Sequence, residues 1–150
     1  SSNKGGSISS GAPLPAGYQM QFGFKDQLIV RPSEMLMHFG SLNLADAKTG
    51  AISAHIRVFL FPDLLLLAKA GSQAERDQNS LIYELLRAPI HIHQITQCFV
   101  MKGNSDLSIK YIGPDGRSQE HLRLRCQPGE RDCHIWCRRI QDRLLQTVIL

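Results

Sequence analysis

The sequence predicts a mainly β fold: a seven-stranded, bent antiparallel sandwich or partly open barrel, capped by one C-terminal α-helix. Three observations carry this. From residue 35 onward the apolar runs are short and densely punctuated by turn residues, as strands are. Residues 107–112 and 121–126 alternate apolar and polar with a period of two. Residues 133–148 then switch to spacings of three and four, which is one amphipathic helix. With 43% of its 150 residues hydrophobic, the chain can bury a real core, so wholesale disorder is excluded.

The elements follow in order. Ser1 to Gly17 (SSNKGGSISSGAPLPAG) has no periodicity and almost no large apolar residue. Burial there cannot offset the entropy of ordering, so residues 1–17 read as a flexible linker. Residues 18–33 form a lead-in segment in which Phe22, Phe24, Leu28, Ile29 and Val30 are available to pack; a short helix and a strand both fit it. The domain proper is expected over residues 34–150, and no internal repeat is visible.

Met35 to Leu44 is the first strand of that domain, with Gly40 permitting a bulge or sharp bend. Asp46 to Gly50 (DAKTG) is a turn. Ala54 to Phe61 and Leu64 to Ala70 are apolar, β-rich runs separated by Pro62-Asp63, a hairpin pattern. Gly71 to Ser80 is polar and reads as a surface loop. Leu81 to Leu86, Ile90 to Ile95 and Cys98 to Lys102 are further short strands. Leu107, Ile109 and Tyr111 alternate with Ser108 and Lys110, while Leu122, Leu124 and Cys126 alternate with Arg123 and Arg125. With Gly113-Pro-Asp-Gly116 between them, these make an antiparallel pair with one buried face. In the helix, Cys133, Trp136, Cys137, Ile140, Leu144 and Val148 form the apolar stripe, with Arg138, Arg139, Gln141, Asp142 and Arg143 opposite. Pro128-Gly129 precedes it and Asp132 suits a cap or first-turn acid. The stripe must be buried, and the open end of a small bent sheet is the natural partner. Trp136, in mid-stripe, fits the role of its plug.

The formal net charge is +4, which at first suggests an anionic partner. Divided along the chain it amounts to +2 over residues 1–33, zero over 34–70, and +1 over each of 71–126 and 127–150. No basic block with interleaved aromatics is present, so nucleic acid is not expected as a partner. The longest apolar stretch, Val58 to Ala68, is broken by Pro62-Asp63 and is too short to span a bilayer. The opening residues lack the apolar core of a signal peptide. Three of the four cysteines fall between residues 126 and 137. That spacing does not suggest a secreted disulfide frame, and a reduced cytoplasmic setting is expected.

This order of elements, together with particular residues, resembles a pleckstrin-homology (PH) domain. The residues are Gly40-Ser41-Leu42, the run Arg57-Val-Phe-Leu-Phe-Pro-Asp-Leu-Leu-Leu-Leu-Ala-Lys69, Ile90-His-Ile92 at the family's fourth strand, and Trp136 where its helix carries a tryptophan. The wording of the second and third strands is most similar to PH domains that follow the catalytic domain of Dbl-type Rho guanine-nucleotide exchange factors. The match covers about residues 34–148. It implies a non-enzymatic signalling module whose partners are an adjoining exchange domain, a small GTPase, or both, with a phosphoinositide membrane as a further option. The helical exchange domain is not among these residues, so the resemblance carries no exchange activity. The alternative within the same superfold is a phosphotyrosine-binding-like module, taking a peptide by strand addition between a strand and the helix.

The resemblance also implies a lipid site. Family members that bind phosphoinositides use a lysine on the first strand or its loop, then a basic residue, a spacer and an arginine on the second strand. Vicinal phosphates need several converging cations, and arginine can bind two oxygens at once. The positions here are Lys48, His55 and Arg57, joined by Lys69. His55 departs from the pattern, and Asp46 adds a nearby negative charge, so weak phosphoinositide binding and peripheral membrane association are expected.

Other constellations read more plainly. His91 and His93 share a face opposite Ile90 and Ile92, but no third metal ligand is spaced to join them. Cys126, Cys133, His134 and Cys137 lack the short paired knuckles of zinc sites, and two of the cysteines lie on the apolar stripe. No metal and no cofactor is expected. No phosphate cradle, nucleophile elbow or framed carboxylate pair is present, so no catalytic residue is assigned. The near-continuous apolar run from Val58 to Leu67 has two readings. Either it is an exposed patch for protein contact, or residues 18–32 or the helix cover it.

Overall fold

The computed structural model describes residues 17–70, 74–75, 80–103, 105–126 and 130–149. The expected linker falls almost wholly outside these residues, as does most of the expected 71–80 loop. Among the described residues there are eleven strands and one α-helix: β1 (Gln19–Phe24), β2 (Gln27–Pro32), β3 (His38–Ala45), β4 (Ile52–Leu60), β5 (Leu64–Lys69), β6 (Ala74–Glu75), β7 (Ser80–Glu84), β8 (Ile90–His91), β9 (Ile95–Val100), β10 (Asp106–Ile112), β11 (Gln119–Cys126) and α1 (Glu130–Ile149).

Seven strands form one antiparallel sheet in the order β8-β5-β4-β3-β11-β10-β9. Its edges, β8 and β9, do not pair with each other, so the sheet curls into a partly open barrel. A second sheet, ordered β2-β1-β7-β6, contains the antiparallel β1–β2 hairpin and a parallel β1–β7 pairing. Residues 18–33, which the sequence left as helix or strand, are therefore this hairpin and the turn after it. Leu85 and Leu86 stitch the sheets together: Leu85 N–H donates to the Gly23 carbonyl at 2.9 Å, and Leu86 N–H to the Leu67 carbonyl at 2.8 Å.

Strand alternation sorts the apolar residues into two cores. Ile56, Val58 and Leu60 of β4, with Leu65 and Leu67 of β5, face the barrel interior together with Leu107, Ile109, Leu122 and Leu124. Phe59, Phe61, Leu64, Leu66 and Ala68 face the other way, onto Met20, Phe22, Leu81 and Tyr83 of the second sheet. The β4–β5 hairpin is thus buried on both faces, as near-continuous apolar strands should be. Of the two readings of the Val58–Leu67 run, the covered one holds and the exposed patch does not: the 18–32 hairpin and β7 cover its outer side. Phe22 sits at the centre of that cover, with ring centroids 5.1 Å from Phe59, 5.7 Å from Phe61 and 5.3 Å from Tyr83. Arg31 latches the hairpin by two hydrogen bonds to the Asp63 carboxylate, at 2.7 and 2.8 Å. Its guanidinium also lies 5.6 Å from the Phe61 ring centroid.

The helix α1 packs against β9, β10 and β11. Cys133, Trp136 and Ile140 are fully buried in the barrel core and Cys137 nearly so, while the Val148 side chain lies outside the described residues. The polar side of the helix also reaches the sheet. Gln141 Nε2 donates to the Cys98 carbonyl at 2.9 Å, and Arg143 Nε to the Pro62 carbonyl at 3.0 Å. Trp136 meets His38 of β3 at a centroid distance of 4.4 Å, close to edge-on. Burial, helped by the Arg139 charge, pushes the His38 pKa down to about 4, so that imidazole is neutral at pH 7.

All four cysteines are free thiols and buried. Cys133 beside it, together with burial, pushes the Cys126 thiol up, and burial does the same to Cys98. Held protonated, Cys126 and Cys98 pack as small hydrophobes rather than act as nucleophiles.

Two local expectations need correction. Residues 90–95 are not one strand, because the chain turns into a 3-10 segment at Ile92–Gln94. The Gln94 side chain accepts from His91 N–H at 3.0 Å, which takes that donor out of strand pairing. Within the expected 71–80 loop, Ala74 and Glu75 pair with Ile82 and Leu81 as the short strand β6.

Candidate functional site

The four residues expected to form a phosphate pocket lie around the β3–β4 turn and the β4–β5 pair. Asp46 builds the turn: its Oδ1 accepts from Lys48 N–H at 2.8 Å and from Thr49 N–H at 2.9 Å. Those two backbone donors, Thr49 first, hold its carboxyl below the usual carboxylate range. The negative charge beside Lys48 is therefore spent on the turn's own backbone. Gly50 closes the turn with a positive φ of 78°, and its N–H donates to the Asp46 carbonyl at 2.9 Å.

Register separates the rest. In β4, His55 lies opposite Asn43 and Arg57 opposite Ser41, so both side chains belong to the outer face, with Phe59 beyond them. Lys69 lies opposite Ile56, so it belongs to the other face of the sheet. The Lys69 ammonium instead pairs with Glu84 Oε2 at 3.1 Å, an exposed ion pair worth well under about 1 kcal/mol. His55 Nδ1 is hydrogen-bonded to Asn43 Oδ1. The fold thus brings His55 and Arg57 together, places Lys48 in the turn beyond them, and turns Lys69 away.

The same face continues past what the sequence pattern indicated. Asn43 is opposite Arg125, and Arg125 is opposite Asp106. Asp106 is fully buried, yet it is satisfied: Arg125 donates to it from Nε at 2.7 Å and from Nη2 at 2.8 Å, and Arg123 Nε donates at 2.6 Å. Arg125 chiefly, with Arg123, holds its carboxyl below the usual range against the opposing effect of burial. Ser108 Oγ and His121 Nε2 are 2.7 Å apart in the neighbouring rows. Burial, then the Lys110 and Arg123 charges, lowers the His121 pKa. A polar row, His55–Asn43–Arg125–Asp106, therefore crosses β4, β3, β11 and β10, with the cations Arg123 and Lys110 in the rows beside it. The sequence signal for it was the Arg123/Arg125 alternation, which says nothing of which strand lies alongside.

A phosphotyrosine-binding-like groove would lie between β9 and α1. There Gln141 already occupies the Cys98 carbonyl, so the mid-strand acceptor that an added peptide strand would use is taken. No helix among the described residues is long and apolar enough to cross a membrane.

No family model matches the chain, and no curated protein matches it by sequence. Solved structures do match. The DH/PH domains of PDZ-RhoGEF in complex with GTPγS-activated RhoA align at TM-score 0.55 and 13% identity, over 74% of this chain and 29% of that one. A DH/PH fragment of PDZ-RhoGEF with human RhoA aligns at 0.55 and 15%, with the same coverage of 74% and 29%. The N-terminally truncated linker-DH/PH domains of p115-RhoGEF align at 0.52 and 20%, again over 74% and 29%. The chain therefore spans under a third of the length of these neighbours, and the likeness establishes a PH-like fold.

Proposed function

We propose that this chain is the non-catalytic PH module of a Rho-family guanine-nucleotide exchange factor. It tunes or places an adjoining exchange domain through protein contacts, helped by weak phosphoinositide binding at a cytoplasmic membrane surface. The observation that carries the reading is the fold match to DH/PH structures over 74% of the chain. Two of those neighbours hold RhoA, which makes an adjoining exchange domain and a small GTPase the proposed partners. The divided placement of Lys48, His55, Arg57 and Lys69 supports lipid binding that is electrostatic and of low affinity, since a tight vicinal-phosphate site needs its cations to converge.

Co-sedimentation with vesicles, with and without phosphoinositide, tests the lipid component. The expected result is weak binding that falls as salt rises. Arg57→Ala should weaken it by about fivefold, the equivalent of about 1 kcal/mol per basic residue at an anionic surface. Absence of binding at low salt, or binding indifferent to both salt and Arg57, would remove lipid from the proposal.

A further inference from the structure

The cations on the outer face of β10 and β11 have a chemistry of their own. On β10 and β11 the outward positions are Asp106, Ser108 and Lys110, paired with Arg125, Arg123 and His121. At these outward positions three cations, Lys110, Arg123 and Arg125, stand against one acid, Asp106, leaving +2 on that face; Glu120, the other acid of these two strands, lies opposite inward Tyr111. Asp106 is wholly buried beneath the two arginines, so a partner meets only the guanidinium side. The polar row continues onto β3 and β4 through Asn43 and His55. The even spread of charge along the sequence thus becomes a local excess once register brings β4, β3, β11 and β10 side by side.

Two features make this face a fixed platform. Asp106 holds both arginines at once, so their forks are oriented before anything binds. The Arg123 guanidinium also lies flat against the β3–β4 turn: a Cβ built on Gly50 would sit 2.9 Å from its Nη2 and 3.0 Å from its Cζ. The Arg123 terminal nitrogens donate to nothing among the described residues. Its side chain is 11% exposed and that of Arg125 33%, so both cations are recessed. A flat surface reaches recessed cations poorly, whereas carboxylates on projecting side chains reach them well. Phe99, opposite Ser108 on the same face, is 40% exposed and gives an apolar margin beside the charges.

We propose that this outer face of β3, β9, β10 and β11 docks an acidic segment of a protein partner, with Asp or Glu side chains reaching Arg123, Arg125 and Lys110 beside Phe99. The proposal does not depend on the exchange-factor setting. A fluorescein-labelled peptide of alternating glutamate and serine, twelve residues long by choice, is the probe, with a serine-only peptide of equal length as control. Fluorescence anisotropy with the full chain should show saturable binding of the acidic peptide alone, weakening as salt rises. Lys110→Glu should lower the affinity by about tenfold, because it replaces an attractive charge with a repulsive one. Should that variant unfold, Lys110→Ala should still cost a few fold. Amide shifts on titration should concentrate in residues 41–45, 106–110 and 119–125. No binding at low salt, or shifts confined to the β1–β2 hairpin, overturns the proposal. So does tighter binding of phosphoinositide vesicles to these same amides, which would make the face a membrane contact.

Discussion

Replacing Phe22 with alanine will lower the free energy of unfolding by about 3–5 kcal/mol, the cost of removing a fully buried phenyl ring from a packed core. For a chain of this size that is a fall in melting temperature of roughly 10 °C. The cause is specific. Phe22 contacts Phe59, Phe61 and Tyr83 at once, so its loss opens a cavity between the two sheets and loosens the cover over the β4–β5 hairpin. Leu28, on the outward side of the same hairpin and 60% exposed, gives the contrast: Leu28→Ser should change stability by under about 0.5 kcal/mol. Thermal unfolding of the two variants separates packing from strand propensity. Equal effects would mean that the hairpin does not seal the sheet.

Trp136→Ala is the second large effect, again about 3–5 kcal/mol, but its consequences fall on the opposite side of the molecule. Trp136 is fully buried between the curled sheet and the helix, against Cys133, Cys137 and Ile140 on its own helix and beside His38 of β3. Its removal should loosen α1 while leaving the Phe22 core intact. Amide hydrogen exchange should therefore quicken in 131–146 and in β9 more than in β1 and β2. Leu145→Ala, at a position 60% exposed, should be nearly silent. The two substitutions lie in separate apolar clusters, so their costs should add to within about 0.5 kcal/mol.

What was legible in the sequence follows from how local its cause is. β10 and β11 alternate cleanly because one face is wet and one buried, and the Gly113–Gly116 connection marks the turn between them. The helix was readable because Cys133, Trp136, Cys137, Ile140 and Leu144 repeat at three and four. The β1–β2 hairpin was harder, although Met20, Phe22 and Phe24 alternate. Its tip is Lys25-Asp26, and Lys25 adopts a φ of 54° without the glycine or asparagine that normally announces such a turn. The parallel pairing of β1 with β7 joins segments some 60 residues apart and leaves no local mark. For that reason the apolar run Val58–Leu67 stayed ambiguous until its cover was seen.

The candidate site divides in the same way. Arg57 and Lys69 lie in one hairpin, but which face each takes depends on register across the Pro62-Asp63 turn. Arg57 falls opposite Ala68, and Lys69 one step on, opposite Ile56; a shift of one residue would have reversed this. The Arg125–Asn43 adjacency that builds the polar row depends on β11 lying beside β3, a long-range contact invisible to composition or spacing. Charge counted along the chain therefore understated the charge gathered on one face.

Under the proposed function, the chain acts on an adjoining exchange domain without itself catalysing exchange. Release of fluorescent GDP from RhoA distinguishes the outcomes, measured with the isolated chain and with the proposed longer exchange factor carrying or lacking it. The isolated chain should leave the spontaneous release rate unchanged at every concentration, and deleting it from the longer protein should change that protein's rate several-fold. Acceleration by the isolated chain, or identical rates with and without it, would overturn the proposed function.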